Sequence, residues 1–172
     1  WMDPTFSFFQ RLRIRTTNRG YYTLHARNVD WVDDGGEPHL PTVRVDFQGP
    51  ETDLRRDLSY SDGSRLEADE TDISFRFQGD PDEEDVVGVV AVTNRLTGDF
   101  IFELNVPAED VFDFITAARR YAEATEEESR YRIELYLDGE EFVTYEKGTF
   151  LVYTRNGDLL RSHSLIPGGV EL

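Results

Sequence analysis

Three histidines, His25, His39 and His163, are the only imidazoles in the chain. Imidazole is the side chain that most often moves protons or holds a transition metal near neutral pH. Their spacing gives no local support for either task. None stands in an HxH or HxxxH relation, so a shared site needs distant segments to converge. They read as solvent-facing or singly hydrogen-bonded rings, His25 and His163 on strands and His39 in the Gly- and Pro-rich loop 34–41. Carboxylates are too abundant for proximity to mean much. The densest loop-like run, Asp80-Pro-Asp-Glu-Glu-Asp85, offers oxygen ligands to a hard cation but lacks the D-x-D-x-D-G spacing with a distal Glu. It reads as a hydrated loop, and nothing singles out a pair of acids for glycoside hydrolysis. There is no G-x-S-x-G elbow and no S-x-x-K. Asp34-Gly-Gly36 and Pro167-Gly-Gly169 lack the Lys-Ser/Thr of a phosphate loop and read as turns. The absence of cysteine removes thiol nucleophiles, zinc–cysteine sites, iron–sulfur clusters and disulfides. The sequence therefore assigns no catalytic, cofactor-binding or metal-ligating residue, and no cofactor is expected.

Two further groups bear on binding. Arg11, Arg13, Arg15 and Arg19 stand close to Phe6, Phe8 and Phe9, a local basic and aromatic segment of the kind that meets nucleic acid. The alternative is an arm that pairs with the acidic body or with another subunit. Trp31, Tyr21, Tyr136, Tyr145 and Tyr153 could form an outward aromatic patch for a partner, or pack beneath a helix or within a second layer.

The elements that must position these residues are mostly strands. Period-two alternation runs through Tyr22-Leu24-Ala26, Val43-Val45-Phe47 and Ile73-Phe75-Phe77. Val86 to Val92 is apolar on both faces apart from Gly88, as in a central, covered strand. Thr97-Gly98 then turns the chain into Phe100, Phe102 and Leu104, giving a hairpin over 86–106. One amphipathic helix is expected at about 107–124. Pro107 suits its first position, Glu109 and Asp110 suit its first turn, and Val111, Phe114, Ile115, Ala118, Tyr121 and Ala122 form its core stripe. Strands resume at Tyr131-Ile133-Leu135-Leu137, Phe142–Tyr145, Thr149–Thr154 and Leu159–Leu165, with Asp138-Gly139 and Asn156-Gly157 as hairpin signals. The pattern predicts an α+β domain, a mostly antiparallel sheet of roughly eight strands with that helix packed on it, and the short, regularly spaced strands also permit a sandwich or open barrel. Residues 1–20 are expected to be a basic appendage or leader, and residues 21–172 a single domain.

Composition sets the environment. The net charge is -17, from 18 Lys+Arg against 35 Asp+Glu, and Lys147 is the single lysine. So acidic a body repels itself at ordinary salt, while molar salt shortens the Debye length to about 3 Å and screens the repulsion. Acidity together with lysine depletion points to the interior of a salt-accumulating, halophilic cell. The chain is 13% aromatic, too much for an acidic disordered tail. It has no apolar run of membrane-spanning length and no signal-peptide pattern, so a cytoplasmic location without membrane contact is expected.

The segments Tyr22–Trp31, Val92–Phe100, Val143–Tyr153 and His163–Leu172 make the chain from about Tyr21 onward similar to a small family of haloarchaeal proteins known only as a domain of unknown function. The resemblance implies a haloarchaeal cytoplasmic protein and no activity. The function expected from the residues is a non-enzymatic protein-interaction domain, with the Asn94-Arg95 turn and the Ser162–Leu172 tail the parts least explained by a core. One alternative is an enzyme or small-ligand binder whose cleft gathers dispersed residues, with His163, His25, Arg95 and an acidic neighbour as its first candidates. The other is a nucleic-acid-associated regulator acting through the basic arm, disfavoured by phosphate repulsion from the acidic body.

Overall fold

The computed structural model describes residues 22–59 and 62–167. In chain order these form β1 (Tyr22–Arg27), α1 (Trp31–Asp34), β2 (Thr42–Phe47), α2 (Glu51–Asp57), β3 (Thr71–Phe77), β4 (Val87–Asn94) and β5 (Phe100–Pro107). They continue with α3 (Ala108–Thr125), β6 (Tyr131–Leu137), β7 (Glu140–Lys147) and β8 (Leu151–Tyr153). Short 3₁₀ turns lie at Ala68–Glu70 and Arg161–His163. The α+β class and the eight strands agree with the sequence reading. The expected appendage at 1–20 falls outside the described residues.

The strands form two four-stranded sheets, in the orders β1-β2-β6-β7 and β5-β4-β3-β8. Both are mixed, because β2 pairs in parallel with β6 and β3 with β8. The pairings are mostly antiparallel, as expected, but the strands divide between two sheets and each sheet includes one parallel pair. Hairpin signals specify antiparallel neighbours in sequence, and they found β4/β5 and β6/β7. The parallel partners are distant in the chain, and no local pattern names them.

Alternation puts one face of each sheet inward. Leu24, Val45, Phe47, Ile133 and Leu135 are buried in the first sheet, and Phe75, Phe77, Val90, Leu104 and Val152 in the second. With Val111, Phe114 and Ile115 of α3 they enclose the core, and a small apolar void of about 30 Å³ lies beside Phe114 and Tyr131. As expected, β4 is a central strand. Its Gly88 is required by packing, since a Cβ there would stand 2.3 Å from the Phe75 ring and 2.4 Å from the Arg76 carbonyl oxygen.

The helix lies where the periodicity placed it, but Pro107 is its N-cap residue and not its first helical one. The Ala108 N–H, which would otherwise be an orphan, donates to the Val86 carbonyl at 3.0 Å. Helices α1 and α2 are additions to the sequence reading. Each is under two turns or about two turns long, and α2 buries only Leu54, with Leu58 following it, too little for a periodic stripe.

The strand expected at Leu159–Leu165 is broken. Isolated bridges join Leu159 to Tyr153 and Leu165 to Phe150, with the 3₁₀ turn between them. Side chains replace the missing ladder. Ser164 Oγ donates to the Leu160 carbonyl at 2.8 Å and accepts the Val152 N–H at 2.9 Å. Arg119 of α3 donates Nη2 to the carbonyls of Ser162 and Ser164. His163 therefore sits in a turn and not on a strand. No helix among the described residues is long and apolar enough to cross a membrane.

Candidate functional site

A groove of about 640 Å³ lies on the outer face of the second sheet. Its floor follows from strand alternation. Ile73 and Val152 turn inward, so Asp72 and Ser74 of β3 and Leu151 and Tyr153 of β8 share the opposite face with Thr93 of β4. Asp72 stands opposite Thr93 in register, and Ser74 opposite Leu151. The rim comes from the β4–β5 turn, through Arg95, and from the link between the sheets, through Lys147, Gly148 and Thr149.

The charges on this groove are held in place. Arg95 donates Nε at 2.9 Å and Nη2 at 2.6 Å to one oxygen of Asp72, and its backbone N–H donates to the Glu70 carbonyl at 2.9 Å. The Asp72 carboxylate raises the Arg95 guanidinium above its ordinary pKa. Lys147 is only 8% exposed, and its Nζ donates to the carbonyls of Ala68 at 2.5 Å and Thr71 at 2.6 Å. Burial, seconded by the nearby positive charge of Arg95, lowers its pKa. The only lysine of the chain is thus a buried clasp between β7 and the start of β3. Tyr145 supports the same corner by donating to the Leu66 carbonyl at 2.7 Å, and burial lifts its phenol to about 12.

A family model described as a family of unknown function (DUF5793) matches residues 17–172. The chain belongs to the DUF5793 family. No curated protein and no solved structure matches it. Function in this DUF5793 domain must accordingly be argued from its own side chains.

Of the four residues first considered for a cleft, only Arg95 and an acidic neighbour, Asp72, meet. His163 packs its ring 5.1 Å from that of Phe112, which lies 5.7 Å from Phe77 at the far end of β3. Asp72 and Phe77 are five residues apart on that strand, a separation of roughly 17 Å. His25 lies on β1 in the other sheet, opposite Arg44 in register, and His39 is exposed. The four do not converge into one pocket. In the acidic loop, Asp80 uses its carboxylate to accept the Asp82 N–H at 2.9 Å. Among the described residues the only three carboxylates close enough to share one cation are those of Glu67, Asp69 and Glu70. Glu70 there accepts the Glu67 backbone N–H at 2.9 Å, which is capping chemistry of the 3₁₀ turn.

The aromatic residues divide. Tyr145 is buried, contrary to the outward placement considered for it, and Tyr136 lies beneath the Arg44 guanidinium at 3.7 Å. Trp31 donates its indole N–H to the Asn28 carbonyl at 2.5 Å, and Tyr21 is outside the described residues. Tyr153 does reach an outer face, on the groove. The sequence reading missed Asp72, Ser74, Thr93, Lys147 and Thr149 as neighbours. The one signal that pointed toward them was the Asn94-Arg95 turn, singled out because a core did not explain it.

Proposed function

We propose that this chain is a cytoplasmic, non-enzymatic protein-interaction domain of a halophilic archaeon, and that it meets its partner through the tip of the β4–β5 hairpin. The observation that carries the reading is the exposure of Leu96 (61%) and Phe100 (49%) at that tip. Apolar side chains so exposed cost solubility unless something covers them. The tip is also held rigid. Asn94 Oδ1 accepts the Leu96 N–H at 2.9 Å, the Gly98 N–H donates to the Asn94 carbonyl at 2.8 Å, and Arg95 anchors both backbone and side chain to the next strand's start. A preorganised apolar knuckle loses little entropy on docking. The salt-rich setting is supported by the charge balance and by the position of the single lysine, whose burial leaves arginine as the cation of the described surface.

The test compares the tagged full chain with its Leu96→Asp/Phe100→Asp variant for capture of protein from haloarchaeal extract in molar KCl. A stoichiometric protein held by the first and lost by the second, at unchanged melting temperature, is the expected result. Equal capture by both chains, or no stoichiometric protein with either, defeats the reading.

A further inference from the structure

We propose that the groove over β3 and β8 is a binding site for a polyhydroxylated ligand, a sugar or the sugar portion of a larger molecule. This inference stands apart from the partner reading, because it concerns a different surface and is tested with purified components.

Three observations point to that chemistry. First, the Asp72–Arg95 pair is half-satisfied. Both arginine bonds fall on the same carboxylate oxygen, Oδ1, through Nε and Nη2. Asp72 Oδ2 is left with acceptor capacity, and Arg95 Nη1 with two N–H donors, on residues that both line the groove. A polyol uses both groups, one hydroxyl donating to the carboxylate and another accepting from the guanidinium. An anion would meet the free carboxylate oxygen and be repelled. Second, the hydroxyls of Ser74, Thr93, Thr149 and Tyr153 all line the groove, and among the described residues none is hydrogen-bonded to another protein group. Each can both donate and accept, as a ligand hydroxyl requires. Outward side chains on a sheet stand about 5 Å apart across strands and about 7 Å apart along them, so this set spans one or two sugar rings. Third, Tyr153 offers a bare ring face. Arginines lie over the rings of Tyr136, Phe142 and Tyr121. No such stack covers Tyr153 among the described residues, although Arg76 stands opposite it in register. With Leu151 beside it, that face is an apolar platform for the C–H side of a sugar ring. The volume of about 640 Å³ falls within the range of small-molecule sites.

The rigidity of the surroundings adds to the case. Lys147 and Tyr145 clasp the groove's corner to buried carbonyls, so the walls do not have to be ordered by the ligand.

The experiment is ¹H–¹⁵N correlation NMR of the full chain in molar KCl, titrated with glucose, galactose, mannose, N-acetylglucosamine, maltose and lactose, and with inorganic phosphate as the anionic comparator. The expected result is a saturable set of shift changes confined to residues 72–74, 93–95 and 147–153 with at least one sugar. Those changes should weaken at least about tenfold in Tyr153→Ser and in Asp72→Asn. Thr93→Val, nearly isosteric, removes one hydroxyl and should weaken binding while leaving the melting temperature unchanged, which covers the case in which a larger substitution unfolds the chain. No saturable change with any of the six sugars overturns the proposal. So does saturation by phosphate alone, or a response in the groove that Thr93→Val and Asp72→Asn leave intact.

Discussion

Asp110 shows how one residue can carry a pH dependence into an otherwise apolar contact. It belongs to the first turn of α3, where a carboxylate is favoured by the helix dipole, yet it is buried to 7% exposure and its Oδ2 has no partner among the described residues. Burial, then the charges of Asp113 and Glu109, raise its pKa from 3.8 to about 6. Asp113 is itself raised, by burial, by Glu109 and by Asp33 of α1, so acidic groups face this turn from two elements. The folded state therefore holds the Asp110 proton more tightly than the unfolded chain does. On its account stability is greatest below the unfolded value and falls as pH rises through about 6. At about 1.4 kcal/mol per unit, with relaxation reducing it, the penalty above that pH is on the order of 2 kcal/mol. Asp110→Asn should remove it. In urea unfolding at fixed KCl, the variant should match the wild type near pH 4 and exceed it by about 1–2 kcal/mol near pH 7. A gap that is constant across that range contradicts the assignment.

At the scale of elements, α3 both covers the core and ties down the irregular segment after β8. Arg119 is the tie, with two bonds from one Nη2 to the carbonyls of Ser162 and Ser164. Arg119→Ala leaves both without that donor, at about 1–3 kcal/mol. Hydrogen exchange should report where the loss falls: amides of residues 160–165 should exchange faster, while those of β6 and β7 keep their protection. Uniform acceleration across the domain would show that Arg119 stabilises the whole core instead. The same segment shows what the sequence could and could not convey. Its apolar residues alternate like a strand's, and only the tertiary contact from α3 and the double bonding of Ser164 explain why it turns. The helix, the strands and the tight turns were legible because each is set by local periodicity or by residues such as Asp138-Gly139, both at positive φ. The parallel pairings and Gly88's fit against Phe75 depend on which distant strand becomes the neighbour. The groove was hidden for the same reason. Asp72, Thr93, Lys147 and Tyr153 come from four segments, and of the groove's residues only Arg95 and Tyr153 were considered for a surface role beforehand.

At the scale of the whole molecule, the net charge is -17, and the ion pairs among the described residues are mostly exposed. Arg55–Glu51, Arg130–Glu127 and Arg95–Asp72 join residues that are each well over a third exposed, so they offset little of the repulsion. Folding gathers like charges that the unfolded chain keeps apart, and the opposing energy is long-range. Molar KCl shortens the screening length to about 3 Å, which removes that term while leaving buried contacts such as the Lys147 clasp in place. The melting temperature should therefore climb as KCl rises from millimolar to molar levels, and a flat or falling trend would contradict the halophilic reading. Salt also strengthens apolar burial, so the trend alone does not identify its cause. Neutralising two exposed acidic runs, Asp82-Glu83-Glu84 and Glu126-Glu127-Glu128, to their amides separates the two effects. If repulsion dominates, the neutralised chain melts higher than the wild type at low salt, and the two curves converge in molar KCl. If salt acts mainly through apolar burial, the curves rise in parallel, and the acidic surface serves solubility and not the stability of the fold.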